Sequence, residues 1–347
     1  MPPINRQIQL AARPKGFPHE TDFQLVAAPV PQPTEGQFLV ESIYLSVDPY
    51  MRGRMNDVAS YADPVDIGQV MVGECVGRVI ESRHARFPKG SYVCGMFGWQ
   101  EYAVSDGAGV RKLDPSLAPL STAVHVLGMP GLTAYFGLME VCRPQPGQTV
   151  VISAAAGAVG SAVGQLAKLA GCRVVGIAGS QEKIDWIIGE LGFDAALNYK
   201  TSDNYCEDLK QLCPEGIDAY FDNVGGPITD AVFPLLSVGA RIAICGQISQ
   251  YNVDKPQQGP RLLWHLIIKR ATVQGFLVFD FADQYRAALR QLGEWFQAGK
   301  LRYRERITDG IENAPRAFLE LMQGANVGKQ LVRLRDEPTT TLRFTSP

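Results

Sequence analysis

TVVISAAAGAVG (residues 149–160) passes from four β-prone residues, Thr149 to Ile152, through small ones to Gly157 and Gly160, and a helical pattern continues over 161–169. Strand, tight turn and helix N-terminus is the geometry that lets backbone N–H groups reach a pyrophosphate. The match to G-x-G-x-x-G is incomplete, because Ala155 stands where the first glycine belongs. Taken alone, the stretch also fits an ordinary strand–helix turn. A second β-type run, 173–178, ends in Gly179-Ser180 with Lys183 in the following turn. An NAD site usually carries a carboxylate here for the ribose diol. An acid would repel a 2′-phosphate, whereas a hydroxyl and a lysine would bind it. The spacing therefore points to a dinucleotide, and to NADP(H) over NAD.

Downstream the alternation continues. Strands are predicted at 149–153, 173–178, 195–198, 217–221, 240–245 and 271–278, with helices at 158–170, 181–191, 203–211, 227–237, 260–269 and 281–298. That rhythm implies a doubly wound parallel sheet. Upstream, residues 1–125 hold short β-type runs broken by Pro and Gly, such as 38–46, 70–80, 91–94 and 101–105, which suggests a partly open β-barrel. The segment 132–141 reads as a helix, and 301–306, 314–323 and 329–335 as strand, helix and strand. That tail can rejoin the first domain. The expected architecture is α/β, with a first domain over 1–125, which 306–347 can complete, and a nucleotide-binding domain over 126–305.

Composition narrows the function classes. The 347 residues are 46% apolar and 20% charged with net charge −2, so nothing favours nucleic acid or a membrane surface. The start, MPPINRQIQL, lacks a signal-peptide pattern, and no apolar run nears the roughly 20 residues that span a bilayer. Seven scattered cysteines without a CxxC pair suggest reduced thiols and a cytoplasmic protein.

Three further clusters carry candidate chemistry. Phe221-Asp222-Asn223-Val224-Gly225-Gly226 follows a predicted strand and offers the Asn223 carboxamide to a ligand, though a plain Asn/Gly turn fits equally. Cys245-Gly246-Gln247-Ile248-Ser249-Gln250-Tyr251-Asn252 leaves another strand and can present the Tyr251 phenol over the crevice, unless that ring merely covers a core edge. In Ser46-Val47-Asp48-Pro49-Tyr50-Met51-Arg52, Asp48 and Pro49 read as a helix N-cap and N1 pair, leaving Tyr50 and Arg52 as pocket candidates.

With these clusters in view the chain resembles the zinc-free branch of the medium-chain dehydrogenases/reductases, which holds prostaglandin reductases (leukotriene hydroxydehydrogenases), alkenal double-bond reductases and bacterial curcumin reductase. The carrying segments are VDPYMRGRM (47–55), GMPGLTAYFGL (128–138), AAAGAVGSAVGQLAKLAGCRVVGIAGS (154–180), FDNVGG (221–226), RIAICGQISQYN (241–252) and GANVGKQLV (324–332). The resemblance implies a GroES-like domain with a Rossmann domain, a homodimer, and NADPH-dependent reduction of the C=C bond of α,β-unsaturated ketones and aldehydes. By position it implies NADP contacts at Thr133, Gly157, Ala158, Val159, Gly160, Gly179, Ser180, Lys183, Tyr199, Asn223, Cys245, Gly246, Ile248, Ser249, Tyr251, Phe276, Leu277, Val278 and Asn326. It also matches Tyr251 to a donor toward the substrate oxygen and Tyr50 to a pocket-lining residue.

Zinc-dependent relatives need a catalytic Cys, a His-Glu pair and a four-Cys lobe. This chain reads Ser46-Val47-Asp48 and Gly73-Glu74 at the first two places, has no such lobe over 90–115, and spaces His19, His84, His125 and His265 unlike ligands. No metal is expected. Two alternatives use the same cofactor site: a quinone oxidoreductase, and an NADPH-binding protein without efficient turnover.

Overall fold

A computed structural model describes residues 4–253, 255 and 257–338, which fall into two compact units, 4–124 with 305–338 and 125–304. The first begins with a hairpin, β1 (Ile4–Leu10) antiparallel to β2 (Phe23–Pro29). The sequence pattern misses it for a physical reason. β1 buries the polar Asn5, whose side chain bonds Gln100 Oε1 and the Tyr102 carbonyl at 3.1 and 2.9 Å, and β2 buries only Phe23. The long strand β3 (Phe38–Ser46) is almost wholly buried, as its near-continuous apolar run requires. It pairs with β4 (Cys75–Ser82) and β6 (Tyr102–Ser105), while β5 (Tyr92–Gly95) lies between β4 and β7 (Arg111–Leu113). The short helix α1 (Met51–Arg54) follows the turn that leaves β3.

The second unit starts with α2 (Met129–Phe136), which passes into a π-helical turn, Gly137–Cys142, where the sequence predicts one continuous helix. Six strands follow: β8 (Thr149–Ile152), β9 (Arg173–Ala178), β10 (Ala195–Asn198), β11 (Ile217–Asp222), β12 (Leu236–Ile244) and β13 (Thr272–Gly275). They form one parallel sheet in the order β10-β9-β8-β11-β12-β13. This is the doubly wound order whose switch point, between β8 and β11, opens a crevice at the strands' carboxyl ends. The connecting helices are α3 (Ala158–Leu169), α4 (Gln181–Gly189), α5 (Tyr205–Leu212), α6 (Gly226–Val232) and α7 (Leu263–Lys269), with α8 (Tyr285–Gln297) after β13.

The predicted strand 301–306 is instead irregular up to Arg304. The Gln165 side chain bonds both backbone groups of Arg302, at 2.7 and 2.9 Å, so the segment is satisfied without a ladder. The strand begins later, as β14 (Glu305–Asp309), followed by α9 (Ala314–Met322) and β15 (Lys329–Arg333). β15 pairs antiparallel with β3, Leu331 opposite Ser46, so the tail is a member of the first unit's seven-stranded sheet. There Phe23 stacks on Trp99 at 5.6 Å between ring centroids, and Phe318 meets both edge-on.

Candidate active site

The glycine turn joins β8 to α3. Ala154 holds a left-handed φ of +50°, Gly157 N–H closes the turn on the Ala154 carbonyl at 2.9 Å, and Ala155 N–H bonds the Ile177 carbonyl of β9 at 3.0 Å. Gly157 is the N-cap of α3 and brings no side chain to the first turn, so the N–H groups of Ala158, Val159 and Gly160 are left to a ligand. A Cβ on Gly160 would lie 2.4 Å from the Ala154 carbonyl oxygen, so only glycine lets the helix start this close to the turn. The glycine missing at Ala155 is compensated across the sheet. A Cβ on Gly176 would come within 2.9 Å of the Ala155 methyl, so the bare Gly176 makes the room that Ala155 fills.

At the ends of β9 and β10, Ser180 is the N-cap of α4 and its hydroxyl accepts from Lys183 N–H at 3.4 Å. The Tyr199 ring lies over the backbone of Gly179. Burial, and then the positive charge of Lys200, hold the Lys183 ammonium below its usual range. Both causes penalise this cation until an anion lies beside it. Lys200 is a cation the sequence reading missed, although it directly follows Tyr199 at the end of β10.

At the switch point, Asp222 ends β11 and is wholly buried. Its Oδ1 accepts from Tyr220 OH, Val224 N and Gly225 N, each at 2.9 Å, and from Ser153 Oγ at 3.1 Å, while Oδ2 accepts from Thr229 Oγ1 at 2.6 Å. Asn223 is fixed on the glycine-turn side, its N–H to Ser153 Oγ and its amide to the Ser153 carbonyl, both at 2.8 Å. The Asp222 carbonyl accepts from Cys245 N and Gly246 N at 2.8 and 3.1 Å, and the Asn223 and Val224 carbonyls accept from Ile248 N and Ser249 N at 3.3 and 3.1 Å. The loop after β12 is thereby tied to the loop after β11. Within it, the Tyr251 hydroxyl oxygen accepts from Gln247 N–H at 3.2 Å, which brings the phenol back over Gly246. Burial, then the charge of Asp222, pushes the Cys245 thiol up to about 12, so it stays protonated at neutral pH.

Of the remaining sequence candidates in this unit, Thr133 lies on α2 with its hydroxyl donating to the Met129 carbonyl at 2.8 Å. Phe276, Leu277 and Val278 follow the carboxyl end of β13, but the Phe276 ring is buried edge-on to Phe221 at 6.1 Å and leaves only backbone to offer. The turn, the Lys183 cluster, Asn223, the 245–251 loop and 276–278 thus share one edge of the sheet.

Tyr50 and Asn326 belong to the first unit. Burial, then the charges of Asp48 and Glu74, lift the Tyr50 phenol well above its ordinary value, so it is a neutral donor. Asn326 is buried, its amide held by the Gly328 carbonyl at 2.7 Å. Asp48 does not cap a helix as the sequence suggests. The N-cap is Tyr50, and the Asp48 carboxylate accepts from Ser46 Oγ and from Lys329 Nζ, the latter at 2.9 Å. A buried cation outcompetes the helix end for that carboxylate. Among the described residues no group of His, Cys, Asp and Glu is arranged to hold a metal ion.

Comparison with known proteins identifies the family. Residues 6–113 match the family model "N-terminal domain of oxidoreductase" and 158–294 the model "Zinc-binding dehydrogenase". The chain is 46% identical over 335 residues to the NADPH-dependent curcumin reductase of Escherichia coli, covering 95% of this chain and 97% of that one. It is 43% identical over 339 residues to the NADP(+)-dependent 2-alkenal reductase of Nicotiana tabacum, covering 96% and 98%. The crystal structure of CurA from Vibrio vulnificus in complex with NADPH superposes with a TM-score of 0.91 at 47% identity, over 96% of this chain and all of that one. With its sheet order, glycine turn and full-length relatives in agreement, this chain belongs to the medium-chain dehydrogenase/reductase family, in the branch of the curcumin, prostaglandin and alkenal reductases.

Proposed function

We propose that the protein is an NADPH-dependent reductase of the C=C bond of α,β-unsaturated ketones and aldehydes. The observation that carries this is one sheet edge bearing an uncapped helix N-terminus, a two-lysine cluster and a phenol fixed over the switch-point loops. The first-turn N–H groups of α3 would hold the pyrophosphate, and Ser180, Lys183, Tyr199 and Lys200 the 2′-phosphate. Bound there, NADPH supplies a hydride for the β-carbon of the enone. The negative charge that develops spreads onto the carbonyl oxygen as an enolate, so hydrogen-bond donors suffice and no metal is needed. Tyr251 would donate to that oxygen and water would protonate the α-carbon, while Tyr50 is the substrate-lining candidate that the first unit contributes.

Side-by-side NADPH oxidation with 2-alkenals, cyclic enones and quinones tests the reading. We expect a saturated carbonyl product, carrying deuterium at the β-carbon when the C4-deuterated cofactor is used. Quinone turnover with intact C=C bonds would replace this reading by a quinone reductase. Tyr251→Phe is expected to lower turnover about tenfold, below the hundredfold or more seen for a sole oxyanion donor, because a bound NADPH would bring hydroxyl donors of its own. Near-wild-type turnover on several enones would remove Tyr251 from this role.

The same reading includes a homodimer. β13 is the edge of the six-stranded sheet and is exposed throughout, and α7, which packs on the adjacent β12 and leads into β13, shows Leu263, Trp264 and Ile267 at 74%, 64% and 66% exposure. An open strand edge next to an apolar helix is the surface a second copy covers with two-fold symmetry. Trp264→Asp is expected to convert the dimer to monomer in sedimentation equilibrium at micromolar concentration. A wild-type monomer would contradict the assignment. All seven cysteines are free thiols, which fits a cytoplasmic location.

A further inference from the structure

A lysine is almost never fully buried unless its charge has a purpose. Lys329 has a side chain only 1% exposed. It opens β15 just past the end of β3, since Leu331 stands opposite Ser46, the last residue of β3. From there its ammonium donates to the Val47 carbonyl at 2.7 Å and to Asp48 Oδ1 at 2.9 Å. The neighbouring Gln330 carbonyl accepts from Val47 N at 3.2 Å, and Ser46 Oγ donates to the other Asp48 oxygen. The two residues before Pro49 are therefore held through backbone and side chain at once. Beyond Tyr50, the buried Arg52 binds Asn56 Oδ1 at 2.5 Å and the Gly16 carbonyl at 2.9 Å. Tyr50 sits on a turn pinned on both sides.

An apolar side chain of similar length would fill the space of Lys329 without the cost of desolvating a charge, so stability alone does not call for lysine here. What the charge adds is one defined position for the Val47-Asp48 backbone. We propose that Lys329 is a positioning residue that fixes Tyr50 through Val47 and Asp48, and so sets how tightly the substrate is held. This rests on the reading of Tyr50 as a substrate-lining residue.

The test uses Lys329→Met and Asp48→Asn, each alone and combined with Tyr50→Phe. In the single variants the KM for a 2-alkenal is expected to rise roughly tenfold, as small misplacements of a positioning group do, with the KM for NADPH within about twofold. In the Tyr50→Phe background the further loss should vanish, since both changes act on one group. A second arm does not depend on turnover. With 3-fluorotyrosine incorporated and the Tyr50 line assigned through Tyr50→Phe, Lys329→Met should shift that 19F line or split it into several. A wild type that reduces no enone overturns the functional reading and leaves this arm to decide the positioning role. A folded Lys329→Met with an unchanged Tyr50 line and unchanged alkenal KM, or losses that add fully to Tyr50→Phe, overturns the proposal. Should Lys329→Met not fold, Asp48→Asn, which keeps the side chain's shape, carries the same readouts.

Discussion

Lys183→Ala is expected to raise the apparent KM for NADPH by roughly tenfold to a hundredfold, the worth of one charge-assisted contact, and to leave that for NADH almost unchanged. The argument rests on what surrounds the ammonium. Burial and Lys200 both work against its charge, and a phosphate dianion between the two lysines reverses the second penalty. The substitution is clean, because the α4 cap runs from Ser180 Oγ to the backbone N–H of residue 183, which alanine retains. Thermal stability should therefore stay near wild type, separating lost binding from lost folding. Lys200→Ala is expected to weaken NADPH only severalfold, since an exposed charge is screened by water. Equal losses for NADPH and NADH in Lys183→Ala would sink the 2′-phosphate assignment.

Much of this site was legible because it depends on local order along the chain. The run from Thr149 to Gly160 and the Gly179-Ser180 turn each announce a strand end and a helix start, and the six predicted strands appear as β8 to β13 with their ends adjusted. What the sequence hid depends on pairs distant in the chain. The compensation of Ala155 by Gly176 needs the β8–β9 register, and the hold of Lys329 on Asp48 spans 281 positions. Asp48-Pro49 spells a helix start by local rules, and only the arrival of β15 beside it gives the carboxylate a stronger partner. Asp222 was visible in FDNVGG as a letter, yet its donors come from Ser153, 69 positions earlier, and from Thr229 on α6. Asn223 drew the attention, whereas Asp222 holds the loops in place.

Asp222→Ala is accordingly expected to be the most damaging single change in the second unit. Five donors converge on this wholly buried carboxylate, two of them backbone N–H groups with no other role than to donate. Removing the acceptor strands each buried donor at about 1–3 kcal/mol, although relaxation and water entry keep such losses from adding in full. A total of about 3–5 kcal/mol is expected, the range for breaking a buried charged network. Asp222→Asn keeps the shape and one carbonyl oxygen, and Thr229 can accept from the new amide, so a loss of about 1–2 kcal/mol is expected there. Urea unfolding reads both numbers. The functional consequence follows from the same contacts. Val224 and Gly225 lose their anchor, and with them the carbonyls that hold Ile248 and Ser249, so the loop carrying Tyr251 loosens. Asp222→Asn should therefore bind NADPH more weakly at temperatures where it is fully folded, with protease cleavage appearing first within 245–251. A loss below about 1 kcal/mol in Asp222→Ala, set against the buried-network range, would show that the five donors find other partners and that Asp222 does not organise the switch point.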